Sequence, residues 1–144
     1  MEISTLPAEK ADIDGIFKMA KELVDTYEDL TTIDYDKVLH WMYRKISDQI
    51  DAYTCVYADG DKIGYYHLMN DQQSTEIDDF YLLPSFRNMG YGSQILHACI
   101  QQAASPMFLY VFRDNAGAIR FYERHGFQIA EQVSPTRYIM RRSD

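Results

Sequence analysis

The sequence predicts a mixed α/β domain in which helices pack against a single sheet. Two observations support this fold class. The spacing of apolar residues changes along the chain, from a period of three and four residues to runs rich in β-branched and aromatic residues. The two kinds of segment follow one another in the order β, α, α, β, β, β, α, β, α, β, β, with short polar turns between them. The 144 residues contain no repeat or linker, so we expect one domain over residues 1–144.

The first third of the chain predicts a short strand, residues 3–6, followed by two amphipathic helices. Asp12 is the expected N-cap of the first helix, because its carboxylate can accept from the free amides of the first turn. Asp34 or Asp36 would cap the second. The apolar faces of the two helices consist of Ile13, Ile16, Phe17, Ala20, Leu23, Val24 and Tyr27, and of Val38, Leu39, Met42, Tyr43 and Ile46.

The middle of the chain predicts three strands. Residues 52–58 and 63–69 are rich in β-branched and aromatic side chains, and Asp59-Gly60 between them favours a tight hairpin. A third strand covers residues 75–83. Pro84 ends it, because proline cannot donate to a ladder of hydrogen bonds.

The last third predicts two helices and three strands. Residues 93–104 have one apolar helical face, and Ser105-Pro106 stops that helix. Met107–Phe112 is a continuous apolar run, as expected of a buried central strand. A short helix over residues 116–125 is closed by Gly126, where a left-handed cap is favoured. A final hairpin pairs residues 128–133 with residues 137–141.

Charge and composition indicate which ligands, which location and which metal sites to expect. The formal net charge of −8 argues against nucleic acid, which binds basic surfaces, and suits either a cationic substrate or a merely acidic surface. No segment approaches the roughly 20 apolar residues of a membrane span, and the N-terminal residues lack a signal sequence, so we expect a cytoplasmic protein. Cys55 and Cys99 are predicted to be buried, reduced thiols, and two isolated cysteines make a poor metal site, so no metal is expected.

A glycine-containing loop, Arg87-Asn88-Met89-Gly90-Tyr91-Gly92-Ser93, joins the third strand of the middle region to the next helix. The first amides of a helix have no partner within it and carry partial positive charge. A loop that exposes them binds phosphate or pyrophosphate. The loop is not a Walker A motif, since Gly92 is followed by Ser93 and Gln94. Nor is it a dinucleotide-binding fingerprint, which needs a small residue where Ile95 stands.

A second motif follows: Asn115-Ala116-Gly117-Ala118-Ile119-Arg120-Phe121-Tyr122-Glu123-Arg124-His125-Gly126-Phe127. Together the two motifs closely resemble those of the GNAT superfamily of N-acetyltransferases. The first is similar to its acetyl-CoA pyrophosphate loop, Arg/Gln-x-x-Gly-x-Gly/Ala. The second is similar to its Asn-x-x-Ala-x-x-Phe-Tyr-x-x-x-Gly-Phe pattern. The resemblance covers about residues 75–130.

The resemblance implies the GNAT fold, a mostly antiparallel central sheet with splayed strands and flanking helices, and acetyl-CoA as co-substrate without a metal. The main chain of Phe80, Tyr81 and Leu82 would pair with pantetheine like an added strand. Asn115 would hydrogen-bond the cofactor arm or the loop around it. The loop amides that would hold the pyrophosphate are those of Arg87, Asn88, Met89, Gly90, Tyr91, Gly92 and Ser93.

The implied reaction is direct attack of an amine on the thioester carbon. Tyr122 would be the general acid, because a phenol with a reference pKa near 10 is protonated at neutral pH and can donate to the departing sulfur. The amine must also lose a proton, and Glu76 and Asp78 are the candidate bases on one face of their strand. The alternatives are that Tyr122 is a packed core residue and that the two carboxylates only aid solubility.

Two classes of function follow from these residues. The first is an N-acetyltransferase acting on a primary amine of a small molecule or a protein. The second is a module that binds acetyl-CoA without turnover and serves regulation. Tyr122 and the acidic strand residues favour the enzyme. The resemblance also implies that a homodimer can form, since many members of the family form one. The sequence does not specify which amine is the substrate.

Overall fold

A computed structural model describes residues 2–103 and 106–142 of the chain. Within these residues, strands and helices follow one another in the predicted order. The strands are β1 Ile3–Pro7, β2 Tyr53–Ala58, β3 Asp61–Asn70, β4 Thr75–Leu82, β5 Met107–Phe112, β6 Gln128–Ser134 and β7 Arg137–Arg142. The helices are α1 Ile13–Tyr27, α2 Tyr35–Asp48, α3 Tyr91–Gln102 and α4 Ala116–Arg124.

The strands form one sheet in the order β1-β2-β3-β4-β5-β7-β6. Strands β4 and β5 run parallel, whereas β1/β2, β2/β3, β5/β7 and β6/β7 are antiparallel. The predicted mixed α/β class with a mostly antiparallel sheet is therefore confirmed. The described residues form two compact units, one containing those up to His67 together with Asp79–Arg87, the other containing Leu68–Asp78 and those from Asn88 onward. One domain over residues 1–144 stays a prediction.

In the first unit, α1 and α2 turn an apolar stripe inward. The buried positions recur at three- and four-residue spacing, as the sequence predicts for amphipathic helices. Of the two candidate caps of α2, Asp34 is the one observed, its carboxylate accepting from the amide of Lys37 at 3.2 Å. The buried helix residues are Ile16, Ala20 and Val24 of α1 and Met42 and Ile46 of α2.

Asp12 is the N-cap residue of α1, as predicted, but the predicted capping bond from its carboxylate is absent. Instead the carboxylate accepts from the amide of Glu9 at 2.8 Å and forms an ion pair with Lys62 of β3. Although burial opposes the change, the hydrogen bond from Lys62 and the bond from the Glu9 amide hold the pKa of Asp12 below its usual value. The carboxylate therefore binds one local amide outside α1 and a charged partner 50 positions away in sequence.

The β2–β3 hairpin has the predicted two-residue turn. Ala58 pairs with Asp61, and the two residues between them, Asp59 and Gly60, both have positive φ, 50° and 89°. Two consecutive positive φ values match the twist of antiparallel strands and explain the Asp-Gly sequence. The predicted hairpin is thus confirmed, and its turn has the geometry that an Asp-Gly sequence favours.

In the second unit, β4 pairs with β5 over three positions, Thr75–Ile77, whereas β5 pairs with β7 along its whole length. Gly126, which follows α4, has φ 92°, in the left-handed region predicted for it. A Cβ at that position would lie 3.1 Å from Nε of Arg142, which donates to the carbonyl of His125 at 2.9 Å. The glycine thus serves both the turn and this close contact.

Two further sequence predictions concern α3 and the cysteines. Helix α3 ends at Gln102, with Ala103 as its C-cap, two residues before the predicted end at Ala104. The predicted stop at Ser105 lies outside the described residues. Cys55 and Cys99 are buried free thiols, as predicted. Burial raises the pKa of each thiol to about 11. Among the described residues, every helix is too short or too polar to cross a bilayer.

Candidate active site

The predicted pyrophosphate loop enters α3 through two residues with positive φ. Asn88 has φ 62° and Gly90 has φ 87°. Gly90 is the N-cap of α3, so the helix begins at Tyr91, two residues before the predicted start at Ser93. A left-handed cap favours glycine, because a Cβ would strain the backbone there.

The N-terminus of α3 has the amide arrangement that an anion requires. Its first intrahelical bond runs from the amide of Gln94 to the carbonyl of Gly90 at 3.1 Å. The amides of Gly92 and Ser93 in the first turn therefore have no acceptor within the helix, and the helix dipole adds partial positive charge to them. Gly92 lies in the first turn, so it places no side chain over these amides. This end of α3 can bind phosphate by main-chain donation.

The predicted pantetheine-binding segment lies at the end of β4, in the first unit. Tyr81 and Leu82 are buried and Phe80 is half-buried. The amide of Leu83 donates to the carbonyl of Ile63 at 2.7 Å. A Cβ on Gly64 would collide with the carbonyl oxygen of Tyr81 and lie 3.0 Å from Cα of Leu82. Only glycine allows β3 to approach this segment so closely.

The side-chain pattern of β4 changes along its length. Buried and half-buried residues alternate from Thr75 to Asp78, and then two more half-buried positions, Asp79 and Phe80, are followed by two buried ones. A loss of the two-residue period within a strand is typical of a bulge, which re-aims the following side chains.

Arg87, the first residue of the loop motif, is held at the end of β4. Its Nε donates to the carbonyl of Leu82 at 2.8 Å, and its guanidinium carbon lies 5.1 Å from the ring centroid of Tyr81. The Tyr81 hydroxyl donates to the carboxylate of Glu22 on α1 at 2.7 Å. Burial and the Glu22 carboxylate raise the pKa of Tyr81 to about 12, and the Arg87 guanidinium opposes that rise.

Asn115 is the N-cap of α4. Its side-chain oxygen accepts from the amide of Ala118 at 3.2 Å, and its carbonyl accepts from the amide of Ile119 at 3.1 Å. Capping alone therefore accounts for an asparagine at the start of this motif. A hydrogen bond to a cofactor stays a prediction for Asn115.

Tyr122 is a buried residue of α4. Its ring packs edge-on against Phe127 at 5.6 Å and Phe121 at 5.3 Å between centroids. Its carbonyl accepts from the amides of His125 and Phe127 where the helix ends. These contacts fit the packing alternative, and they also hold the ring in one orientation, as a general acid requires. The two roles predict different effects on turnover when the hydroxyl is removed and the ring is kept.

The two candidate bases lie on β4 in the second unit. Glu76 stands opposite Phe108 in the ladder with β5, and both residues are half-buried. Because Thr75 and Ile77 are buried, the alternation places Glu76 and Asp78 together on the other face of the strand. A partly exposed carboxylate at such a position can accept a proton from an ammonium ion.

Asp79 has a different environment, in the first unit. Its carboxylate accepts from the hydroxyl of Tyr53 at 3.1 Å and from Nζ of Lys45 at 3.4 Å. Tyr53 in turn stacks on His67, with centroids 4.1 Å apart and planes 11° apart. His67 is buried within β3 and belongs to this packed cluster. These contacts give Asp79 a structural role.

Two residues at the site were missed by sequence reasoning. Gly64 could have been found, because a glycine inside a strand pattern signals close approach of another backbone. Glu22 has no local signal, since its partner Tyr81 is 59 positions away. The predicted loop residues from Asn88 to Ser93, Asn115, Tyr122, Glu76 and Asp78 all lie in the second unit, and Phe80, Tyr81, Leu82 and Arg87 lie in the first.

Known proteins resemble this chain in sequence and in fold. It is 30% identical over 86 residues to a spermine/spermidine N(1)-acetyltransferase of Bacillus subtilis strain 168, and this match covers 51% of the chain and 57% of that relative. The chain thus spans a little over half the length of the curated relatives it matches.

Solved structures have the same fold at low sequence identity. The PaiA N-acetyltransferase of Thermoplasma acidophilum in complex with coenzyme A is 19% identical with a TM-score of 0.77, and the match covers 100% of both chains. Ard1 of Thermoplasma volcanium is 23% identical with a TM-score of 0.71, over 99% of this chain and 98% of that one. The sequence model of the acetyltransferase (GNAT) family matches residues 16–127, most of the chain, and the chain therefore belongs to that family.

Proposed function

We propose that this protein is an N-acetyltransferase that transfers the acetyl group of acetyl-CoA to a primary amine. The observation that carries the proposal is the N-terminus of α3, where left-handed Gly90 caps the helix and Gly92 lies in its first turn. This arrangement suits the pyrophosphate of coenzyme A. Membership of the acetyltransferase family and a fold shared with a structure that contains coenzyme A support it.

Polyamines are the substrate class that we propose to test first. The Bacillus subtilis relative is named for spermine and spermidine. The net charge of −8 would attract a polycation, and the face of β4 that carries Glu76 and Asp78 would present negative charge to it. Other small amines and the amino groups of proteins are the competing substrates.

The proposed reaction is a direct transfer. The lone pair of the amine attacks the thioester carbon, and the carbonyl oxygen takes the negative charge of a tetrahedral intermediate. The carbon–sulfur bond then breaks, giving an amide and the thiol of coenzyme A. Glu76 or Asp78 accepts the proton that the amine loses, and Tyr122 donates a proton to the sulfur.

Release of free thiol from acetyl-CoA, measured with a panel of amines, tests the proposal. The panel contains spermidine, spermine, an aminoglycoside and a peptide with a free N-terminus, and mass spectrometry of the products checks for one added acetyl group. Tight binding of acetyl-CoA without thiol release from any amine would favour the regulatory module instead. If acetyl-CoA does not bind, both functions are ruled out.

Compartment and assembly complete the proposal. We assign the protein to the cytoplasm, where thiols such as Cys55 and Cys99 are kept reduced. A homodimer is the proposed assembly, and light scattering at several concentrations would distinguish it from a monomer.

A further inference from the structure

We infer that Glu22, Tyr81 and Arg87 form a link between α1 and the start of the pyrophosphate loop, and that Glu22 is a positioning residue for acetyl-CoA. The inference rests on the proposed function. It assigns a role in cofactor binding to a residue of α1 that no motif includes. It also gives the side chain of Arg87 a task other than direct contact with phosphate.

The first half of the link joins α1 to β4. Glu22 is an exposed residue of α1, and its carboxylate accepts from the hydroxyl of Tyr81 at 2.7 Å. Tyr81 is only 2% exposed, and its ring stacks on Tyr65 of β3 with centroids 6.1 Å apart and planes 20° apart. A hydrogen bond to a carboxylate from a phenol that packing already holds in place is stronger than one between neutral groups.

The second half joins β4 to the loop. The guanidinium of Arg87 lies over the ring of Tyr81 while its Nε binds the carbonyl of Leu82. The amide of Arg87 also donates to the carbonyl of Pro84 at 3.2 Å, closing the turn that leaves β4. Arg87 is thus held at both its main chain and its side chain, and the chain enters the loop from this fixed position.

The charges explain why the link would act as a unit. The Glu22 carboxylate and the Arg87 guanidinium both interact with the Tyr81 phenol, one from its hydroxyl and one from its ring face. Loss of the Glu22 carboxylate removes the negative charge that holds the Tyr81 phenol, so the Arg87 side chain stacked on that phenol is held less firmly. The loop would then adopt its binding conformation for a smaller fraction of the time, and the apparent Kd rises as that fraction falls.

Direct binding of phosphate by Arg87 predicts the opposite sign. If the guanidinium must leave Tyr81 to reach the pyrophosphate, removing Glu22 would release it. Removing a negative charge would also favour an anionic ligand. Glu22→Ala would then tighten acetyl-CoA binding, whereas the link requires that it weaken binding.

The chain offers a matched control on the same helix. Asp25 of α1 also accepts a hydrogen bond from a tyrosine, Tyr35, at 2.5 Å. Asp25→Ala changes the net charge as Glu22→Ala does, and Tyr35→Phe removes a phenol–carboxylate bond as Tyr81→Phe does. This control bond joins α1 to the first residue of α2, whereas the Glu22 bond joins α1 to β4.

The experiment measures the Kd of acetyl-CoA by calorimetry and the Tm of each variant. Glu22→Ala and Tyr81→Phe should each weaken binding by about 2- to 30-fold. The double variant should bind acetyl-CoA no more weakly than the single variant with the lower affinity, since the two substitutions remove the same hydrogen bond. Glu22→Gln, whose amide oxygen still accepts from Tyr81, should recover part of the affinity, and the two control variants should leave the Kd unchanged.

Three results would overturn the link. They are tighter or unchanged binding in Glu22→Ala, losses that add fully in the double variant, and equal losses in the Asp25 and Tyr35 controls. These results differ from a failure of the proposed function, in which the unmodified protein itself would bind no acetyl-CoA.

Discussion

The backbone carbonyl of Tyr81 lies in the space that a side chain on Gly64 would need. A Cβ on Gly64 would also be 2.9 Å from Cδ2 and 3.0 Å from Cα of Leu82. The close approach of β3 to the end of β4 therefore depends on the absence of a single methyl group. Tyr81 and Leu82 are two of the three residues whose main chain is predicted to pair with pantetheine.

Gly64→Ala should lower the free energy of unfolding by about 1–3 kcal/mol, because the added methyl group pushes Tyr81 and Leu82 away. Acetyl-CoA binding should weaken with it, as measured by calorimetry on the folded fraction. Gly15→Ala in α1 is the control, since a Cβ there meets nothing within 4 Å and alanine favours the helix by about 0.5–1 kcal/mol. Equal stability of Gly64→Ala and the parent in urea unfolding would contradict the close approach.

Gly90→Glu should abolish acetyl-CoA binding. It strains a left-handed cap and places a carboxylate beside the amides that would hold the pyrophosphate. Gly60→Glu is a matched control, because Gly60 has φ 89° against 87° for Gly90, and a Cβ at either position meets nothing within 4 Å. Both variants should lose similar stability in urea unfolding, but only Gly90→Glu should lose binding. Similar acetyl-CoA affinities in the two variants would exclude the loop as the binding site.

Tyr122→Phe removes one hydroxyl and keeps the packing of the ring against Phe127. If Tyr122 is the general acid, kcat should fall by about 10²–10⁴-fold while the Kd of acetyl-CoA changes little. The high-pH limb of the rate profile should also shift or disappear. Tyr138→Phe on β7 is the control for loss of a phenol, with normal turnover expected. A folded Tyr122→Phe enzyme with kcat within about threefold of the parent would leave Tyr122 a packing residue.

Glu76→Gln and Asp78→Asn separate the two candidate bases. The variant that removes the base should have low activity at neutral pH and recover as pH rises toward the pKa of the amine, because free amine then needs no proton acceptor. The other variant should follow the parental profile. Parallel profiles for both variants and the parent, measured by thiol release between pH 7 and 10, would assign deprotonation to water.

Because Cys55 and Cys99 are buried thiols, we expect the free energy of unfolding to fall at alkaline pH. Each has a pKa of about 11 in the folded protein, above the value of about 8.5 for an exposed cysteine. As pH rises, the thiols of the unfolded chain therefore lose their protons before those of the folded protein. The stability that the protonated thiols contribute below about pH 8.5 declines between about pH 8.5 and pH 11. Urea unfolding of the parent should decline more steeply over this interval than that of a Cys55→Ala, Cys99→Ala double variant. Identical slopes would mean that the thiols do not contribute.

Local sequence determined the features that depend on one stretch of backbone. Asp59-Gly60 specifies a turn with two positive φ values, and Gly126 specifies a left-handed helix end, because few other residues adopt those conformations cheaply. The loop before α3, predicted to bind pyrophosphate, depends on the same kind of local signal, since its glycines and the helix that follows are contiguous in sequence. Asp34 was predicted as one of two caps because a cap bonds within its own turn.

Only the tertiary structure decided which side chains meet across long stretches of sequence. Asp12 occupies the N-cap position of α1, yet its carboxylate forms an ion pair with Lys62 of β3, a partner that only packing brings near. In the sequence, Glu22 is one acidic residue among several on an exposed helix face. In the structure its carboxylate accepts a hydrogen bond from the Tyr81 hydroxyl of β4. Such contacts follow from how the elements pack, and no local pattern of residue types specifies that.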